Sequence, residues 1–217
     1  MNEPGRLFES LRAEKCCRIG QLEISPSDGG FVVFHRNDAG RTDLTDRASK
    51  DAFEIAKFDD AGNYRALRTA PNLRHGWKIF VSNAVELEQA IDAIYPGRLS
   101  VLQALESGEL VTTSLRETLN RQSGMYRVAA KILDQQIDDL VGDFCHSDAG
   151  CLRTILWKRD DRGTVPSTKL PQEKFDPAAD QMGRGEKCIP LLCQEACNLL
   201  VTACRKKVKG AVIRAPE

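Results

Sequence analysis

Gly76-Trp77-Lys78-Ile79-Phe80-Val81-Ser82-Asn83-Ala84-Val85-Glu86 decides the fold class, because it reads as a strand running straight into a capped helix. Trp77 to Val81 holds the aromatic and β-branched residues that suit a pleated, half-buried surface. Asn83 is a strong N-cap type, and Glu86 sits three residues on, in the capping-box position. The helix is expected from Ala84 to Tyr95, ending at Pro96-Gly97. Upstream, Gln21 to Ile24 and Phe31 to His35 flank a Pro-Ser-Asp-Gly-Gly turn and read as a hairpin. Residues 7–18 and 47–57 read as short helices, and Phe58 to Arg65 as a turn.

Downstream the pattern becomes helical at 99–106 and again from about 113. Ala129, Leu133, Ile137, Val141 and Phe144 recur at helical spacing, so Tyr126 to Phe144 is expected to form one helix. Residues 158–187 are polar and rich in proline and glycine, and read as a long surface loop. After Pro190 the chain is expected to be helical through Val208, with Arg205, Lys206, Lys207 and Lys209 at the negative end of the helix dipole. The whole reads as an α+β protein in two parts: residues 1–115 with a small, mainly antiparallel sheet, and residues 116–217 mostly helical.

Hydrophobic residues make up 41% and charged residues 29%, enough for an ordinary core. Basic and acidic residues both number 31, so no global field recruits nucleic acid or an anionic membrane. The N-terminus shows no secretory pattern, and no stretch approaches the ~20 apolar residues of a membrane span. The expected location is the cytoplasm, where the eight cysteines serve as buried thiols or ligands rather than disulfides.

Four of those cysteines form two close pairs, Cys145 with Cys151 and Cys193 with Cys197. Two local clips converging on one point can supply four thiolates to a metal or an iron–sulfur centre. Cys193 and Cys197, four apart on an expected helix, would share one face. Zinc stays open as the alternative, although five residues between Cys145 and Cys151 is loose for a zinc clip. Cys188 is the reserve ligand, and His146 reads as a bystander in the ligand turn. Cys204, Cys16 and Cys17 read as small buried hydrophobes.

The words around these cysteines, Gly150-Cys151-Leu152-Arg153-Thr154-Ile155-Leu156-Trp157 and Ile189-Pro190-Leu191-Leu192-Cys193-Gln194-Glu195-Ala196-Cys197, resemble a bacterial 4Fe–4S cluster-binding family. So do Gly62 to Leu73 with Gly76-Trp77, Tyr95-Pro96, and Arg121 to Tyr126. Members of that family are found fused to sirohydrochlorin cobaltochelatase-like domains. The resemblance implies an N-terminal α/β stabilising domain, a mostly helical cluster-binding domain, and Cys145, Cys151, Cys193 and Cys197 as ligands of both cluster and metal. No chelatase-like domain is recognisable within the chain.

The first functional expectation is therefore a 4Fe–4S protein in electron transfer or an accessory role, linked to tetrapyrrole or cobalamin metallation, with a redox or chelatase partner. The second is a binding module braced by a structural zinc or iron–sulfur centre. Its support is Arg65, Arg68, Arg74, His75 and Lys78, interleaved with Tyr64 and Trp77, a composition suited to phosphates or nucleic-acid strands. A charged outer face over a core tryptophan is the plainer reading of that stretch, which makes nucleic acid the weaker partner. Conventional catalysis has little to stand on, with no glycine-rich phosphate loop, nucleophile elbow or metal-binding histidine pair. Whether the protein is an enzyme, and its oligomeric state, are left open by the sequence.

Overall fold

The structure is a computed structural model that describes residues 16–121, 124–145, 150–168 and 186–214. The chain divides into two compact units: residues 1–106 with 176–191, and residues 107–175 with 192–217. The division thus falls between Glu106 and Ser107 rather than at 115, and the chain re-enters the first unit once before finishing in the second.

The first unit is built on β1 (Cys16–Ile19), β2 (Leu22–Ser27), β3 (Gly30–His35), β4 (Thr45–Arg47), β5 (Trp77–Val81) and β7 (Glu186–Ile189), with β6 (Arg153–Ile155) lying in the second unit. The sheet order is β4-β5-β3-β2-β1-β7. The three central ladders are antiparallel, and the two outermost pairings, β4 with β5 and β1 with β7, are parallel. Alternation sets the faces, since Phe31, Val33 and His35 of β3 and Trp77, Ile79 and Val81 of β5 are buried while their neighbours are less so. Phe31 pairs with Val81 and Val33 with Ile79, which aligns the buried sets across the ladder. A Cβ at Gly30 would lie 2.1 Å from the Val81 carbonyl oxygen, so only glycine lets β3 start this close to β5.

Helices α1 (Ala52–Lys57), α2 (Ala84–Ile94) and α3 (Arg98–Glu106) complete this unit. Leu87, Ala90, Ile91 and Ile94 are fully buried on α2, at the i, i+3, i+4, i+7 spacing of one helix face. Asn83 caps α2 by accepting from the Glu86 backbone N–H at 3.0 Å. The reciprocal bond reaches one residue further back than a capping box places it: Glu86 Oε2 accepts from Ser82 N and Ser82 Oγ at 2.8 and 3.0 Å. The hairpin and the strand-to-helix passage stand as expected. The helix expected at 7–18 does not, because residues 16–18 belong to β1 and the rest of that span lies outside the described residues.

The second unit contains α4 (Leu115–Arg121), a 3-10 helix at Gly124–Lys131, α5 (Asp134–Phe144), the short paired strands β6 (Arg153–Ile155) and β8 (Leu191–Cys193), and α6 (Asn198–Arg214). The single helix expected from Tyr126 to Phe144 is in fact two. Leu133 leaves the helical register and is 65% exposed, while its backbone N–H donates to Gln136 Oε1. The tighter 3-10 period lets Ala129 and Ile132 share a buried face instead. Arg116 of α4 braces this break, donating to the Ala130 carbonyl and to Asp134 Oδ1 at the start of α5. No helix among the described residues is long and apolar enough to cross a membrane.

Candidate metal centre

Each of the four paired cysteines stands where an element starts or stops in the second unit. Cys145 ends α5, its backbone N–H bonded to the Val141 carbonyl at 2.9 Å. Gly150 then comes back against that helix end, where an added Cβ would sit 2.9 Å from the Phe144 carbonyl oxygen. The return delivers Cys151, only 3% exposed, just before β6. Cys193 ends β8, and the Leu156 N–H donates to its carbonyl at 2.9 Å, fastening this strand to the chain beyond β6. Cys197 precedes α6 and accepts from Val201 N at 3.1 Å.

This corrects the expectation that Cys193 and Cys197 share a helix. Pro190 biases the residue before it toward extended backbone, and Leu191 to Cys193 then pair with β6, so the helix begins only at Asn198. The change favours a centre. Cys197 now sits at the N-terminus of a 17-residue helix, whose unpaired N–H groups and positive dipole end stabilise negative charge.

The sulfurs act on one another. Burial first, then the charges of Cys197, Cys151 and Cys193, push the Cys145 thiol far above its usual range. Burial likewise pushes Cys193 up, with Cys151 and Cys197 adding to it while Arg153 and the Trp157 hydrogen bond oppose. Cys145 and Cys193 therefore keep their protons until a cation of high charge displaces them, as ligand thiols do on binding metal. Among the described residues, no three Cys, His, Asp or Glu side chains converge closely enough to hold one metal ion. Tetrahedral zinc, at about 2.3 Å from each sulfur, would draw the sulfurs to within roughly 4 Å of one another.

Two N–H donors point at the sulfurs. Arg153 Nε donates to Cys151 Sγ and Trp157 Nε1 to Cys193 Sγ, both at 3.3 Å. The sequence alone places Arg153 two residues from Cys151. The reach of Trp157 to Cys193 is not visible there, because it depends on the pairing of two segments distant along the chain. Cys145, Cys193 and Cys197 pack against a core that includes Val141, Trp157 and Val201.

The other cysteines fall elsewhere. Cys204 is fully buried in the core of the second unit, and Cys17 is buried in β1. Cys188 lies in β7, opposite Arg18 in the sheet of the first unit. His146 is outside the described residues. The cationic patch also loses members. Arg65 is 2% exposed and Trp77 3%, both structural, while Lys78 and His75 pair with Asp46 and Asp60.

Residues 107–206 match the family model described as a 4Fe-4S iron-sulfur cluster binding domain, and residues 5–105 match the DR2241 stabilising domain. The first of these ranges contains all four paired cysteines. In structure the chain is similar to DR2241 from Deinococcus radiodurans, with a TM-score of 0.71 and 26% identity over 93% of this chain. That protein is described as multi-domain, structurally similar to chelatases, with two additional novel domains, and this chain spans 40% of it. No curated protein matches.

Proposed function

Since the chain belongs to the family that joins a DR2241 stabilising domain to a 4Fe-4S cluster-binding domain, we propose that Cys145, Cys151, Cys193 and Cys197 hold the cluster and that the protein is a one-electron carrier serving a chelatase-type partner. The observation that carries this reading is that all four cysteines lie inside the matched domain, where N–H donors already meet the sulfurs of Cys151 and Cys193. When bound, such a cluster supplies one-electron chemistry, between a reduced donor such as a flavoprotein and an oxidised acceptor protein.

The chain's own residues do the rest. Four cysteines fill every iron position, which leaves none open to bind substrate and favours a carrier over a dehydratase-type enzyme. The start of α6 and the Arg153 guanidinium place positive charge beside the anionic ligand set. Support for the partner comes from the Deinococcus radiodurans protein and its described similarity to chelatases. A chelatase-type activity would lie outside these 217 residues, so the partner would be a separate protein or a separate domain.

Reductive titration of anaerobically prepared protein tests the carrier role. Uptake of about one electron per chain, with bleaching of the visible band and a paramagnetic signal, is the expected result. A visible band that strong reductant leaves unchanged would make the centre a structural brace.

A further inference from the structure

We propose that Trp157 and Arg153 set the reduction potential of the centre, by donating N–H hydrogen bonds to two of the sulfurs that ligate it. This rests on the ligand set proposed above and goes beyond it, since holding a cluster requires neither side chain.

The two donors come from one short segment and reach sulfurs on different elements. Trp157 is fully buried, and a buried indole N–H needs an acceptor. Its acceptor is Cys193 Sγ at 3.3 Å. Two further bonds fix the indole there. Leu156 N donates to the Cys193 carbonyl at 2.9 Å, and Thr168 Oγ1 donates to the Trp157 carbonyl at 2.9 Å. As a free thiol, Cys193 Sγ also donates to the Glu195 carbonyl at 3.1 Å. Ligation removes that proton and leaves a sulfur that can only accept, so the indole bond persists and strengthens against the anionic sulfur.

Arg153 adds a permanent charge. Its Nε meets Cys151 Sγ at 3.3 Å, and a guanidinium keeps its charge even where it is partly buried. Reduction adds negative charge to the centre, so donors on its sulfurs stabilise the reduced form more than the oxidised one and raise the potential.

The test is redox titration of the intact holoprotein beside Trp157→Phe, Arg153→Met and Arg153→Lys, with iron content measured for each. Trp157→Phe is expected to keep its iron and shift the reduction equilibrium about tenfold toward the oxidised form, about 59 mV for a one-electron couple. Arg153→Met is expected to shift it further in the same direction, and Arg153→Lys, which keeps the charge but not the Nε geometry, to fall between. Full iron content with unchanged potentials in both Trp157→Phe and Arg153→Met would overturn the proposal. Loss of iron from both would also overturn it, by making the pair structural. If Trp157→Phe alone loses iron, the potential of Arg153→Met decides. Wild-type protein that binds no iron would instead overturn the parent reading, and this one with it.

Discussion

Replacing Cys193 with alanine is expected to empty the centre, taking iron from about four per chain to below one and abolishing the visible absorbance. Cys193 is 6% exposed at the end of β8, with no second thiol in its own strand to take its place. An iron left without its thiolate opens to water, and the cluster falls apart. Alanine at Cys145, Cys151 or Cys197 is expected to act in the same way. Cys204→Ala is the informative contrast. Cys204 is fully buried, and burial raises its thiol to about 11. It sits seven residues beyond Cys197 on α6, roughly 10 Å along the axis. Its loss should leave a small cavity and full iron content. If Cys188→Ala bleached the protein while Cys145→Ala kept its colour, the ligand set would be wrong. Iron content and absorbance of anaerobically prepared variants, with circular dichroism to confirm the fold, check this.

Replacing Arg65 with alanine is expected to destabilise the first unit by about 3 kcal/mol or more while leaving iron untouched. Arg65 is 2% exposed, and its guanidinium donates to the carbonyls of Ala56, Arg68 and Ala70 and to Asn72 Oδ1, at 2.8 to 3.0 Å. One side chain thus satisfies the turn of backbone between α1 and β5. Its removal strands buried acceptors, each costing about 1–3 kcal/mol, and opens a cavity. Lysine offers no fork of that geometry and should rescue little. Chemical denaturation checks the effect. A midpoint unchanged from wild type would show that Arg65 is not structural, and would return it to the cationic surface that the binding-module reading needs.

Local signals explain what could be read directly. Asn83 and Glu86 announce α2, and the turn residues between Ile24 and Phe31 announce the hairpin, because each signal acts within a few residues. The strands missed were short and decided from afar. Glu186 to Ile189 is a strand because it lies beside Cys16 to Ile19, and Leu191 to Cys193 because it pairs with β6. No local propensity carries that information. Leu133 fits the helical spacing on paper, yet Ile132 takes the buried place once the 3-10 helix shortens the period.

The cysteine pairs stood out for a different reason. Thiolate ligands must be cysteine, so paired cysteines stand out whatever elements carry them. Which elements those were did not stand out, and neither did the indole that Trp157 aims at Cys193. Arg65 was misleading because an arginine in a row of cations looks like surface, and only the fold shows four acceptors closing around it.

The most direct test is metal and sulfide analysis of protein purified without oxygen, with zinc measured alongside iron. Brown protein with about four irons and four sulfides per chain is the expected result. Colourless protein carrying one zinc and no sulfide would contradict it.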